Sequence, residues 1–381
     1  MKVCFISSSF PPIKCGNSEG TIKLCNSIAN NNISVHLITS TISSTDNNIE
    51  INDNVKVYKV INNWHLTNWR KLLYYVDLIK PDILHVEYPG VPYGHSIMIN
   101  LFPLLLKSLR KPYPIVLRLH EFSKARILRK ISIIPFILGC DKIAVPTEIE
   151  LNYISKYLYP SSGKLLYVPI GNNIDVIEIS DVERKNTRQK LGIAPDCTLL
   201  GYFGFISRTK DIETLLYSFK QSLALGLNAK LLMIAEPILY DISCGKRILH
   251  MIDSLQLTEK VIWSGRLDEK DVSIHLSATD AMILLYKDGV STRRGSFMAA
   301  IEHGLPVITS RGLTVPEGLI HGQNVIFVHN YSIDDIAKAI YDLCMSPSTM
   351  DYIGNNASIY AKRYSWEFIG REFAGIYASL L

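Results

Sequence analysis

The residues best suited to chemistry lie in the string DGVSTRRGSFMAAIEHGLPVITS (288–310). Asp288 and Gly289 leave an apolar run, and Ser291, Arg293 and Arg294 stand just ahead of Gly295 and Ser296. FMAAIEHG reads as a helix that Gly304 closes. The free N–H groups and the dipole at such a helix start favour an anion. Two guanidinium groups and several hydroxyls at that point would hold a diphosphate. Read alone, the string fits equally well two solvated arginines and a serine N-cap. A second string, GYFGFISRTKDIETLL (201–216), runs from a strand through a glycine turn into a helix. Gly204 permits close backbone approach, and Arg208 and Lys210 precede the helix within reach of an anion. The string is not GxGxxG, which argues against a dinucleotide fingerprint and leaves an ordinary strand-to-helix turn open. A third, SSSFPPIKCGNSEGT (7–21), reads as a loop in which Gly16 lets a ligand approach the backbone. A fourth, LRLHEF (117–122), sets His120 at the carboxyl end of a strand, where a positioning or a structural role is open.

The elements that must position these residues alternate between short β-branched runs and helical stretches. Strands are read at 3–7, 34–40, 54–60, 82–88, 114–120, 141–147 and 164–170. Helices are read at 17–31 and 69–80. Such near-continuous apolar strands imply a parallel sheet covered on both faces, with ligands at the carboxyl ends of the strands. The texture turns polar between 171 and 197, the candidate linker, with a short helix ending at Gly192. The pattern then repeats, with strands at 198–206, 229–236, 260–265, 280–286, 305–310 and 324–328. The helices between them are read at 211–226, 269–279 and 295–303, with further helices near the end of the chain. Two doubly wound domains in tandem suggest a cleft between them as the ligand site.

Composition narrows the class. The 381 residues suffice for two cores, and 48% hydrophobic with 20% charged residues excludes a disordered or fibrous chain. The net charge of +5 is too mild to imply nucleic-acid binding, although residues 1–180 alone carry +6. Seven cysteines without a CxxC pair give no zinc site or disulfide framework and are expected as reduced, mostly buried thiols. No signal peptide is read, and SIMINLFPLLLKSL (96–109) is too short and interrupted to cross a bilayer. A cytoplasmic location is the expectation.

Taken together, the four strings resemble the retaining family 4 glycosyltransferases, and the resemblance spreads over nearly the whole chain. SSSFPPIKCG is similar to that family's first strand and glycine loop. The strings at 201–216 and 288–310 resemble a subgroup with an FGF…K and DGVSxRRGS signature. YSWEFIGREFAGIYASLL (364–381) is similar to the family's last helix. The resemblance implies an α/β GT-B fold, two Rossmann-like domains whose parallel sheets face each other across a cleft. Residues 1–180 would form the acceptor domain, 181–363 the nucleotide-sugar donor domain, and 364–381 a helix crossing back to the first. Gly16 matches the loop near the donor phosphates and sugar, His120 the histidine near the transferred sugar, and Lys210 the cation on the diphosphate. Gly295 and Ser296 match the phosphate-binding helix start. The chain departs from the family at Phe205, Asp211 and Asn17, and above all at the Glu-x7-Glu pattern, whose positions fall on Ser291 and Ala299. Glu302 lies three residues out of register, so Asp288, Arg293 and Arg294 are the candidate substitutes.

The resemblance implies transfer of a sugar, with retention of configuration, from a nucleoside-diphosphate sugar to a carbohydrate or lipid-linked acceptor. Surface polysaccharide, glycolipid and glycoconjugate synthesis are the expected settings. Lys210, Arg294 and the amides of 295–297 would steady the leaving diphosphate, while Gly204, Arg208, Asp288, Ser291, Arg293 and Ser296 complete the donor site. His120 would position the sugar or acceptor. No DxD motif occurs, so neither a catalytic metal nor another cofactor is implied. The segment 107–130 holds eight basic residues (Lys107, Arg110, Lys111, Arg118, Lys124, Arg126, Arg129 and Lys130) against Glu121, between apolar runs. It reads either as peripheral contact with an anionic inner membrane face or as solvated helix faces. A nucleotide-sugar epimerase and a non-catalytic nucleotide-binding partner subunit are the competing readings.

Overall fold

The computed structural model describes residues 1–11, 16–41, 50–88, 93, 97–111, 113–120, 122–123, 125–158, 163–329 and 332–381. Residues 12–15 of the glycine loop, Glu121 and Lys124 lie outside them. The chain divides into two compact units, Met1–Gly171 with Tyr364–Leu381, and Asn172–Arg363.

The first unit is built on β1 (Lys2–Ser7), β2 (Ser34–Ser40), β3 (Val55–Ile61), β4 (Ile83–Tyr88), β5 (Ile115–Leu119), β6 (Lys142–Val145) and β7 (Leu165–Tyr167). Among the described residues these form one parallel sheet in the order β3-β2-β1-β4-β5-β6-β7. The crossovers carry α1 (Gly16–Ala29), α2 (Trp69–Ile79), α3 (Met98–Ser108), α4 (Ile127–Gly139) and α5 (Glu148–Tyr157). Gly16 therefore opens a helix, so the second half of the string at 7–21 is helical rather than loop.

The second unit repeats the design. Its helices are α6 (Asp181–Lys190), α7 (Ile212–Ala224), α8 (Ile242–Ser254), α9 (Glu269–Ala278), α10 (Gly295–Glu302), α11 (Ile333–Cys344) and α12 (Pro347–Ala361). Its strands are β8 (Thr198–Phe203), β9 (Ala229–Ile234), β10 (Val261–Trp263), β11 (Ala281–Leu284), β12 (Val307–Ser310) and β13 (Ile326–Val328). They form a parallel sheet in the order β10-β9-β8-β11-β12-β13. Strand order reverses between β1 and β4 in one unit and between β8 and β11 in the other. Beyond the carboxyl ends of such a pair, the two crossovers leave in opposite directions and open a crevice.

Four helices, α3, α4, α5 and α8, have no counterpart in the sequence reading. Helices α3 and α4 are apolar on most positions and contain Pro103 and Pro135, so neither shows a clean helical period. Thr147 caps α5 by accepting from the Glu150 amide, and Asp241 caps α8 by accepting from that of Cys244. The polar stretch read as a linker contains α6, which opens with a Ser180–Glu183 capping box. Arg184 and Arg188 on α6 bind Asp280 at 2.5 and 3.0 Å, tying that helix to the second unit.

The chain ends in α13 (Trp366–Ala378), which packs on α1 in the first unit. Ile369, Phe373 and Tyr377 of α13 enter the core formed by Val3, Phe5, Val35 and Leu37. The Ser27 hydroxyl donates to the Trp366 carbonyl, which brings the two helices close. Among the described residues the cysteines are free, five of them buried, and no helix is long and apolar enough to cross a membrane.

The α1–α13 contact rests on Gly370, where an added Cβ would fall 2.1 Å from Ser27 Oγ and 2.8 Å from the Ser27 carbonyl oxygen. Gly370→Ala should therefore destabilise the protein by about 1–3 kcal/mol through overpacking. Gly375, one turn on, has nothing within 4 Å of its added Cβ. Gly375→Ala should be neutral or stabilise by up to about 1 kcal/mol through helix propensity. Urea denaturation of the two variants checks the contrast, and equal effects would contradict this account of the contact.

Candidate active site

In the second unit the candidate residues gather where β8 and β11 diverge. Gly204 follows β8 with φ +126, and its added Cβ would lie 3.1 Å from Lys210 Nζ and 3.6 Å from Ser296 Cβ. A side chain there would meet strain and crowding together, so the turn requires glycine. Lys210 and Tyr286 face one another in a short antiparallel bridge, which draws the segment after β8 to the end of β11. Lys210 Nζ donates to Ser296 Oγ at 2.8 Å, and the Tyr286 hydroxyl is 2.8 Å from the same oxygen. The Arg294 guanidinium lies 4.7 Å from the Tyr286 ring centroid, and Lys210 Nζ lies 4.6 Å from it. Two cations thus share one aromatic ring.

The loop ahead of α10 is shaped by Gly289, at φ +82, whose added Cβ would sit 2.1 Å from Gly312 Cα. Arg294 caps α10 with an extended backbone and pairs with the exposed Asp288 carboxylate. The amides of Phe297 and Met298 donate back to the Arg294 carbonyl, so those of Gly295 and Ser296 lead the helix. Ser291 accepts from the Arg294 amide through its backbone carbonyl at 3.0 Å. Arg293 is partly buried in the same loop. Burial, and then the neighbouring Arg294, pull the Lys210 ammonium down to about 7, while Asp288 acts the other way. Burial raises the Tyr286 phenol, which keeps it neutral. The cluster is rich in donors, and the carboxylate paired with it, Asp288, is exposed rather than buried among them.

Arg208 is not drawn into this cluster. Its side chain is 75% exposed and its nearest ionic partner is Asp241, at 3.7 Å. Ala299 is buried within α10, and Glu302 accepts a 2.9 Å hydrogen bond from Asn172. Tyr286 escaped the sequence reading. Its signal was a tyrosine closing the apolar run DAMILLY immediately before the glycine loop.

In the first unit a second cluster lies at the carboxyl ends of β4 and β5. Side chains on a strand alternate between faces, and Glu87 stands opposite Arg118 in the ladder. His85, Glu87, Arg118 and His120 therefore project from one face, toward α1 and α13. His120 Nε2 lies 2.8 Å from Glu87 Oε2, while Arg118 Nη1 and His85 Nε2 lie 3.3 and 3.1 Å from Oε1. Burial would raise the Glu87 pKa, but Arg118, His120 and His85 outweigh it and hold the carboxyl well below its usual range. Burial keeps His85 neutral. Arg118 also donates to the Pro169 carbonyl at 3.1 Å and is fully buried, so it is not part of a solvated basic stretch. The sequence reading missed Glu87, His85 and Arg118 as site-forming residues. Their signal was a polar pair at alternate positions in each of two buried strands, DILHVEY and LRLHEF.

With this geometry in place, comparison gives the class. The family model described as glycosyl transferases group 1 matches residues 183–359, and the one described as glycosyl transferase 4-like matches residues 2–109. The chain is 23% identical to an uncharacterised glycosyltransferase of Methanocaldococcus jannaschii, over 99% of this chain and 98% of the relative. Among solved structures, a glycosyltransferase from Rickettsia africae superposes with a TM-score of 0.78 at 14% identity, covering 99% of this chain and 98% of that one. HepE from Anabaena, solved with UDP and glucose, superposes with a TM-score of 0.72 at 15% identity over the whole of both chains. The two family matches and the two Rossmann-like sheets support a glycosyltransferase of the GT-B fold.

Lys210 supplies a test of the cluster without any substrate. Its folded pKa lies below the unfolded value of about 10.4, so the unfolded chain binds more protons between the two. The cost of holding this cation is full below about pH 7 and fades as pH rises toward 10. Lys210→Met should stabilise the protein by about 1–2 kcal/mol at pH 6.5, with the gain gone near pH 10. Denaturation of both proteins at pH 6.5, 8 and 9.5 checks this, and a pH-independent difference would contradict it.

Proposed function

We propose that this chain is a retaining hexosyltransferase that uses a nucleoside-diphosphate sugar to build a surface polysaccharide, glycolipid or glycoconjugate. The observation that carries the reading is the convergence of Lys210, Tyr286 and Arg294 on Ser296 at the start of α10. Breaking a sugar–diphosphate bond builds negative charge on the departing phosphate. Lys210, Arg294 and the leading amides of α10 lie ready to take up that charge without reorganisation. The second unit is then the donor domain, with Gly204, Asp288, Ser291, Arg293 and Gly295 lining the phosphates and sugar and Arg208 at the margin. The first is the acceptor domain, where His120 orients the sugar or acceptor and Gly16 opens a helix near the donor. Retention fits same-face attack, with the leaving phosphate assisting removal of the acceptor proton. HepE, solved with UDP and glucose, makes a UDP-hexose the first donor to try.

The test is incubation of the protein with UDP-, GDP-, ADP- and dTDP-hexoses and candidate acceptors, with the product anomer read by proton NMR. Product with the donor's configuration supports the reading, and an inverted product overturns it. Lys210→Met and Arg294→Ala should each lower kcat/KM by about 100-fold or more, as loss of oxyanion donors does. Wild-type rates in both would remove the phosphate assignment. The absence of both carboxylates of the Glu-x7-Glu pattern favours a second reading, a nucleotide-binding partner subunit. Nucleotide binding without transfer or donor hydrolysis would select it.

The acceptor side carries a proposal of its own, contact with an anionic bilayer bearing a lipid-linked acceptor. On α4, Ile127, Leu128 and Ile131 are 68, 78 and 56% exposed. Lys107, Arg110 and Arg126 are exposed nearby in sequence, while Lys111 pairs with Asp77 and Lys130 donates to the Tyr153 hydroxyl at 2.7 Å. Exposed apolar side chains next to the exposed Arg126 match the chemistry of an anionic lipid surface. Sedimentation with phosphatidylglycerol vesicles should pull down the protein far more than phosphatidylcholine vesicles do. Ile127→Ser/Leu128→Ser/Ile131→Ser should lose most of that binding. Equal sedimentation with neutral vesicles, or an unaffected triple variant, would overturn it.

A further inference from the structure

The buried cluster of the first unit has an internal direction that the proposed reaction does not use. Glu87 is ionised and can only accept. Each imidazole nitrogen that faces it must therefore carry a hydrogen: His120 Nε2 toward Oε2 at 2.8 Å, and His85 Nε2 toward Oε1 at 3.1 Å. A neutral imidazole with Nε2–H keeps a lone pair on Nδ1. His85 spends that lone pair inside the protein, where the Tyr377 hydroxyl lies 2.6 Å from Nδ1 and donates to it. Phe5 stacks on the His85 ring at 4.1 Å and Phe373 meets it edge-on at 4.9 Å, so this imidazole cannot turn freely. Arg118 supplies the positive charge that balances Glu87, through the 3.3 Å contact to Oε1. With His85 neutral, the Arg118 guanidinium offsets the Glu87 carboxylate inside the group, which is what allows the pair to be buried.

We propose that Glu87 is the positioning residue for His120: it holds the Nε2–H tautomer and leaves Nδ1 as the acceptor nitrogen for a sugar or acceptor hydroxyl. Tyr377, acting from α13 through His85, keeps the carboxylate in place. The C-terminal helix is in this way a working part of the site, because it supplies the last donor in the chain Tyr377–His85–Glu87–His120. The inference rests on the proposed role of His120, and its test separates the two.

The first measurement uses the wild-type protein with ¹⁵N-labelled histidine. His120, assigned by loss of its signals in His120→Gln, should show a protonated Nε2 and a pyridine-like Nδ1. Protonation at Nδ1, or a mixture of tautomers, overturns the proposal whatever the enzyme does. The second measurement is kinetic. Glu87→Gln should lower kcat for sugar transfer by about 10–100-fold with little change in the donor KM, the usual scale for loss of an orienting partner. The double variant Glu87→Gln/His120→Ala should be no slower than His120→Ala alone. Should Glu87→Gln fail to fold, Tyr377→Phe, which removes one hydroxyl at the far end, serves instead. It should lower kcat in the same direction and admit a second His85 tautomer in the spectrum. An unchanged kcat together with an unchanged spectrum in Tyr377→Phe overturns the relay. A normal kcat in His120→Ala instead overturns the reading of His120. Loss of transfer in His120→Ala with normal transfer in Glu87→Gln overturns only the role of Glu87.

Discussion

A carboxylate taken out of water must find donors, and in the first unit this one requirement organises four parts of the chain. Glu87 of β4 finds Arg118 on β5, His120 just beyond its end and His85 on its own strand. Arg118 in turn reaches the Pro169 carbonyl beyond β7, and His85 reaches Tyr377 on α13. Removing one member would strand a buried charge, a loss of about 3–5 kcal/mol in comparable pairs. The apolar layer around it, Phe5, Ile369 and Phe373 among others, could pack in many similar ways. The polar chain can close in only one. It specifies that α13 returns to this sheet and in which rotation, and the close seat of Gly370 on Ser27 follows from that placement.

The second unit solves the reverse problem. Its buried-side charges are cations, and their partners are a hydroxyl, a phenol and an exposed carboxylate rather than a buried one. Ser296 Oγ and the ring of Tyr286 hold Lys210 in position without cancelling its charge. Burial, and then the neighbouring Arg294, pull its pKa down to about 7. A buried carboxylate would have restored the ammonium and also occupied the space an anion needs. Gly204 and Gly289 serve the same end, since each lets backbone approach where a Cβ would collide. Helix α10 contributes leading amides whose hydrogen-bonding capacity the helix itself does not consume.

Much of this was legible in the sequence, for identifiable reasons. Buried parallel strands are short β-branched runs, so every strand of both sheets was read within a few residues. Lys210, Arg294 and Ser296 were legible because they crowd into two strings next to glycines, whereas Tyr286 lies just ahead of the string at 288–310 and was not. Helices α3 and α4 were not, because an almost wholly apolar helix with an internal proline has neither period nor boundary. Arg208 stands two positions from Lys210 in the same string, yet its side chain lies outside the Lys210 cluster and meets Asp241. Glu87 was missed because its partners come from another strand and from the far end of the chain. Such a site is a property of register: until β4 is laid beside β5, nothing links His85 and Glu87 to Arg118 and His120.

The two clusters differ in what they leave unspent. In the first, Arg118 offsets Glu87, and every interaction named is already made before any ligand arrives. A group so satisfied cannot gain much when charge develops during a reaction. Its worth is rigidity, holding one imidazole in one orientation. In the second, two cations and a helix start keep positive potential in reserve, and the protein carries the cost of doing so in the ligand-free state. Only interactions that strengthen as the reaction proceeds lower its barrier. In the proposed transfer, a departing diphosphate would strengthen those of Lys210 and Arg294 and would offer nothing to Glu87. The energetic work of the proposed transfer therefore falls to the second unit, and the geometric work to the first. This division also bears on the missing Glu-x7-Glu carboxylates. With Ala299 buried inside α10, no carboxylate stands at that position, and the exposed Asp288 beside Arg294 is the acid that partly offsets the cations. In the proposed reading, the sugar hydroxyls that such carboxylates would hold fall to the loop that carries Asp288 and Ser291.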